Sequence, residues 1–107
     1  MSQPRVEILS FDGCPNRGSA RALVERIAAD SGMEPTVDLV EVPDLDAARE
    51  LRFLGSPTVR VNGRDVEPGA ELRREFVMSC RVYETEQGLR GQPAEGWIRE
   101  ALASARR

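Results

Sequence analysis

The sequence contains no histidine and no lysine, so all fifteen of its basic residues are arginine. Without histidine there is no Ser-His or Cys-His nucleophile pair and no histidine-ligated metal. Without lysine there is no Schiff-base chemistry. The uniform use of arginine is expected of a GC-rich genome rather than of a function. No apolar run approaches the roughly 20 residues that cross a bilayer, so no membrane partner is expected. The opening "MSQPRVEIL" lacks the basic-then-apolar order of a secretory signal, and a cytoplasmic location is expected. Cysteine is scarce too: Cys14 and Cys80 are the only two. In that compartment they rest as thiols rather than as a structural disulfide. Two thiols without histidine do not complete a tetrahedral zinc site within one chain, so no metal and no cofactor are expected. The net charge is −3, with both signs spread along the chain. That argues against nucleic acid, which needs a basic patch.

What is present fits one small globular domain over residues 1–107. Hydrophobic residues make up 40% and charged residues 31%, a soluble composition. "RVEILSF" (5–11) is β-rich and apolar on both faces, like a buried strand. From Asn16 the period changes. Ala20, Leu23, Val24, Ile27 and Ala28 form the stripe of an amphipathic helix that Gly32 ends. "TVDLVEV" (36–42) predicts a second strand. Asp44 is the expected N-cap of a short helix reaching about Leu54, with Ala47, Ala48, Leu51 and Leu54 facing inward. "SPTVRVNGRDV" (56–66) predicts a strand, an Asn62-Gly63 turn and a short return strand. Residues 67–79 read as loop and then a helical turn. "CRVYETEQGL" (80–89) alternates like an edge strand, and Pro93 suits the first position of a final helix. Ala94, Trp97, Ile98, Ala101, Leu102 and Ala105 would be that helix's buried stripe, with Trp97 as a core anchor. Helices that follow strands imply parallel crossovers, and the Asn-Gly turn implies an antiparallel neighbour.

Two local marks stand out. Gly13-Cys14-Pro15 lies between the first strand and the first helix, and Gly55-Ser56-Pro57-Thr58 precedes the third strand. With about forty residues between them, and with this element order, the chain resembles the thioredoxin-like superfamily. It is also similar to a small group of short bacterial thioredoxin-like proteins, some labelled alkylmercury lyases. The resemblance implies an α/β fold of order β-α-β-α-β-β-α, a mixed central sheet with helices on both faces. It implies Cys14 as the nucleophile and a cis bond before Pro57. It also implies a Ser56 backbone presented beside Cys14, where relatives pair with the substrate's backbone as an added strand would. On this view Pro15, Arg17, Ser56, Pro57 and Thr58 frame the substrate, and the Ser56 hydroxyl would donate to the Cys14 sulfur.

The chemistry of Cys14 follows from its place. A helix N-terminus offers unpaired N–H groups and the positive end of the dipole, which favour thiolate, and Arg17 adds positive charge. Asp12 works against them. The plain alternative is a buried, inert cysteine at a strand end. Arg17 stands where a dithiol enzyme has its second cysteine. Resolution of a mixed disulfide then falls to an external thiol or to Cys80, 66 residues further on. The expected partner is therefore a protein or small-molecule thiol or disulfide. Asp65 and Glu67 read as exposed hairpin charges, or as an acid or base near Cys14. Two other readings stay open: a non-catalytic thioredoxin-like binding module, and a protein whose two thiols hold a soft metal or organomercurial in linear coordination.

Overall fold

In the computed structural model, residues 3–105 are described. They form a mixed α/β structure with three α-helices and a four-stranded mixed sheet. Strand β1 (Arg5–Ser10) lies at its centre. Its alternation divides the core. Val6 and Ile8 join Ala20, Val24 and Ile27 of helix α1 (Arg17–Asp30) and Ile98 and Leu102 of helix α3 (Glu95–Ala105). Leu9 belongs to a second cluster with Val42, Phe53 and Ala48 of helix α2 (Leu45–Glu50). Opposite faces of one strand thus feed separate cores. Strand β2 (Thr36–Glu41) pairs parallel with β1, from Arg5↔Thr36 to Ser10↔Glu41, with α1 as the crossover. Strand β3 (Thr58–Val61) runs antiparallel on the other side of β1, from Val6↔Val61 to Leu9↔Thr58. The connection through α2 therefore does not yield a parallel partner as expected from the helix-after-strand rule. Strand β4 (Arg64–Asp65) returns beside β3 through Asn62 and Gly63. Both turn residues have positive φ, 49° and 85°, the signature of a hairpin turn matched to strand twist. The sheet order is β2-β1-β3-β4.

Asp44 caps α2, its Oδ1 accepting from Ala47 N at 2.8 Å. The helix stops at Glu50 and does not reach Leu54. The cause is a reversal. Arg52 takes a left-handed φ of 56°, Arg52 N donates to Arg49 O, and Phe53 N donates to Ala48 O at 2.8 Å. That pattern closes a helix and turns the next residue inward, and Phe53 is fully buried. Helix α1 ends the same way around Gly32 (φ 69°), with Met33 N on Ala28 O.

After β4 a short 3-10 turn at Ala70–Leu72 leads into an extended strap, residues 73–82. The expected edge strand at 80–89 does not join the main sheet. Instead β5 (Tyr83–Thr85) and β6 (Gly88–Arg90) form a separate two-stranded ribbon, and Cys80 makes only an isolated bridge to Ser56. Alternation identified extended backbone but not its partner. Pro93 sits just outside α3. The carbonyl of Ala94 accepts from Trp97 N and Ile98 N, so the helix begins one residue beyond it. Trp97 is half-buried and packs against the edge of the first core, 6.3 Å from the Tyr83 ring.

Candidate functional site

The antiparallel register fixes what lies at one end of the sheet. Leu9 faces Thr58, so the chain leaving β1 and the chain entering β3 meet there. The first is the turn Phe11–Cys14, in which Cys14 N donates to Phe11 O at 3.3 Å and Gly13 has φ 83°. The second is Gly55–Thr58, with a cis peptide between Ser56 and Pro57. Cys14 precedes the N-cap of α1, Asn16, and is 8% exposed. Its carbonyl accepts from Arg17 N at 3.5 Å. Pro15 is exposed and Arg17 is half-buried, while Ser56, Pro57 and Thr58 are all buried.

The strap brings Cys80 to the same loop. Ser56 N donates to Ser79 O and Arg81 N donates to Ser56 O, both at 2.9 Å, so Ser56 and Cys80 pair as in a parallel ladder. Cys80 is exposed. Tyr83 Oη donates to Pro57 O at 2.5 Å, and Thr58 Oγ1 donates to Gly55 O at 2.6 Å. Gly55 is needed for this approach. At φ 124°, a Cβ on it would lie 2.9 Å from Arg81 Cβ and 3.1 Å from Ser79 O. The expected hydrogen bond from the Ser56 hydroxyl to the Cys14 sulfur is not made. Ser56 Oγ is buried with no hydrogen-bond partner among the described residues. Gln92 ties the segment before α3 to the start of α1, its Nε2 donating to Ser19 Oγ at 2.7 Å.

Arg81 anchors the strap, and sequence reasoning missed it. Its side chain is 1% exposed. Nη1 donates to Asp65 Oδ2 at 2.7 Å and to Thr58 Oγ1 at 3.0 Å, and Nη2 donates to Glu67 Oε1 at 2.7 Å. The guanidinium also lies 4.4 Å from the Tyr83 ring centroid. Burial opposes the charge, yet Tyr83, Asp65 and Glu67 together raise the Arg81 pKa and keep it cationic. Burial pushes the Tyr83 phenol well above its ordinary value. Asp65 and Glu67 are therefore neither exposed hairpin charges nor an acid or base for Cys14. They are the counter-ions of a buried cation. The available signal was phase: in "CRVY", Arg81 and Tyr83 share the inward positions, and Val82 is 59% exposed.

Of three clefts, one touches this end of the sheet. The two larger ones, of 930 and 550 Å³, lie along α3 and contain neither cysteine. A third, of 420 Å³, is walled by Phe11, Asp12, Glu41, Val42, Pro43 and Met78. Neither cysteine is among its walls, but it touches the Phe11–Cys14 turn through Phe11 and Asp12. Among the described residues no group of three or more His, Cys, Asp or Glu side chains is arranged to hold a metal ion, and no helix is long and apolar enough to cross a membrane. No protein-family model matches the chain, and no curated protein matches it.

Proposed function

We propose that the chain is a thiol–disulfide oxidoreductase on a thioredoxin-like scaffold, of monothiol or atypical two-cysteine type, working in the cytoplasm. Cys14 is the nucleophile and Cys80 the second thiol. One observation carries the reading: the Cys14 turn, the cis-Pro57 loop and Cys80 share one end of the sheet. The sheet order β2-β1-β3-β4, with α1 and α3 packed in one core and α2 in the other, supports the scaffold.

The Cys14 thiolate attacks one sulfur of the substrate disulfide. The S–S bond breaks, the leaving thiolate takes a proton from water, and Cys14 is held in a mixed disulfide. The Cys80 thiolate then attacks the Cys14 sulfur, releases the second substrate thiol and closes a Cys14–Cys80 disulfide. In the monothiol form an external thiol takes that step. Two electrons pass from the protein thiols to the substrate in the first case.

A second reading, a non-catalytic binding module, is favoured by one observation, the 8% exposure of Cys14. Buried thiols are ordinarily inert. A free-thiol count with intact mass after mild disulfide treatment separates the two. Loss of two hydrogens with both thiols consumed is the two-cysteine outcome. A single adduct on Cys14 is the monothiol outcome. A native Cys14 that does not react, with turnover unchanged in Cys14→Ser, refutes the redox reading and leaves the module.

A further inference from the structure

Both backbone groups of Ser56 are already used, by Ser79 and Arg81 of the same chain. The strap is held there by a buried arginine on two carboxylates. An extended polypeptide therefore finds no free backbone at Ser56 on which to add as a strand. What remains open beside the Cys14 turn is the 420 Å³ cleft, which Phe11 and Asp12 of that turn line and Cys14 itself does not. Its floor is apolar, from Phe11, Val42, Pro43 and Met78, and its charged groups are Asp12 and Glu41, both exposed. Among the described residues no arginine lines it. Apolar walls with a carboxylate rim fit a short aliphatic chain ending in a cation, and its volume suits a small molecule.

We infer that the disulfide handled at Cys14 is a small cationic one, its ammonium end seated between Asp12 and Glu41, and not one carried on an extended polypeptide. The inference rests on the redox reading above and names its substrate class. Cystamine is the probe. The Cys14 thiolate attacks one cystamine sulfur, one cysteamine leaves as a thiolate and is protonated by water, and the other stays on Cys14 as a mixed disulfide. The cation enters a field set by two carboxylates, whereas an anion of equal length is repelled.

The test compares second-order rates of Cys14 modification by cystamine and by 3,3′-dithiodipropionate, in protein carrying Cys80→Ser. Each rate is divided by that of free 2-mercaptoethanol with the same disulfide, which removes the leaving-group difference. Cystamine is expected to be preferred by roughly tenfold at low ionic strength, with the preference shrinking as salt rises. In Asp12→Asn/Glu41→Gln the preference falls toward unity. Because the readout is a ratio, a change in Cys14 nucleophilicity cancels from it. Equal normalised rates for the two disulfides, or a preference untouched by the double substitution, overturn the inference while leaving the redox reading intact. Failure of both disulfides to modify Cys14 overturns the redox reading itself.

Discussion

Tyr83 gives the alkaline stability of this protein a component that is read as the difference between the native chain and Tyr83→Phe, both of which carry the two free thiols. Tyr83 is the only tyrosine, and there is no lysine. The phenol is fully buried and donates to Pro57 O. Burial raises its pKa in the folded chain above the ordinary 10.0. The folded state thus keeps a proton that the unfolded chain releases near pH 10. The stabilisation is fully present below pH 10 and is lost as pH rises above it, because the unfolded state gains from ionisation and the folded state does not. One proton corresponds to a slope of at most about 1.4 kcal/mol per pH unit, so up to about 1.4 kcal/mol is lost by pH 11. Against a total of roughly 5–15 kcal/mol, that is a large share. Urea unfolding from pH 8 to 11, followed by tryptophan fluorescence, measures the slope. Absorbance at the phenolate band should rise only together with unfolding. Tyr83→Phe loses the bond to Pro57, about 1 kcal/mol at neutral pH, but its stability curve should run flatter above pH 10. A phenolate signal that titrates near pH 10 in folded protein, or equal slopes for both proteins, would refute the argument.

Arg81→Met leaves Asp65 and Glu67 without their buried cation and is expected to cost about 3 kcal/mol, roughly 15 °C in Tm. Adding Asp65→Asn and Glu67→Gln should recover part of that loss in the same melts, and a single-variant loss under about 1 kcal/mol would contradict the burial. Gly55→Ala forces a side chain into the strap at φ 124° and should lower stability by about 2–4 kcal/mol in urea. A neutral result there would mean the strap does not pack as described. Asp44→Ala removes the one bond that caps α2 by a side chain and should cost about 1 kcal/mol, while Asp44→Ser should cost less, both read by chemical denaturation.

Periodicity carried most of the secondary structure. The α1 stripe, the Asp44 cap and the Asn62-Gly63 hairpin are local patterns, and each was legible without the fold. The end of α2 was not, because an arginine rather than a glycine occupies the left-handed position and Phe53 is drawn inward by a distant core. The ribbon of β5 and β6 was read as part of the main sheet, since alternation reports exposure on two faces and says nothing about which strand lies alongside. At the candidate site the two marked loops share one sheet end, and that follows from strand register. The strap was legible only in part: the phase of "CRVY" sets Arg81 on the same face as Tyr83, but that this face is the buried one depends on Asp65 and Glu67, sixteen and fourteen residues earlier, which hold the cation.

The strap also bears on how copies of this chain behave together. Unpaired sheet edges recruit one another, and proteins shorten, cover or charge them to stay dispersed. One side of this sheet ends in β4, a strand of only two residues, and Ser79–Arg81 fill the hydrogen-bonding groups of Ser56 nearby. The long open edge is β2 on the other side, where Leu39 is 46% exposed. It carries Glu41 and also Asp38, which pairs with Arg5 Nε at 3.1 Å, so two such edges laid together would bring the Glu41 carboxylates into one ladder. Edge-to-edge pairing of copies is therefore opposed by a clasp at one border and by Glu41 at the other, and Glu41→Gln should show as loss of solubility before any loss of fold.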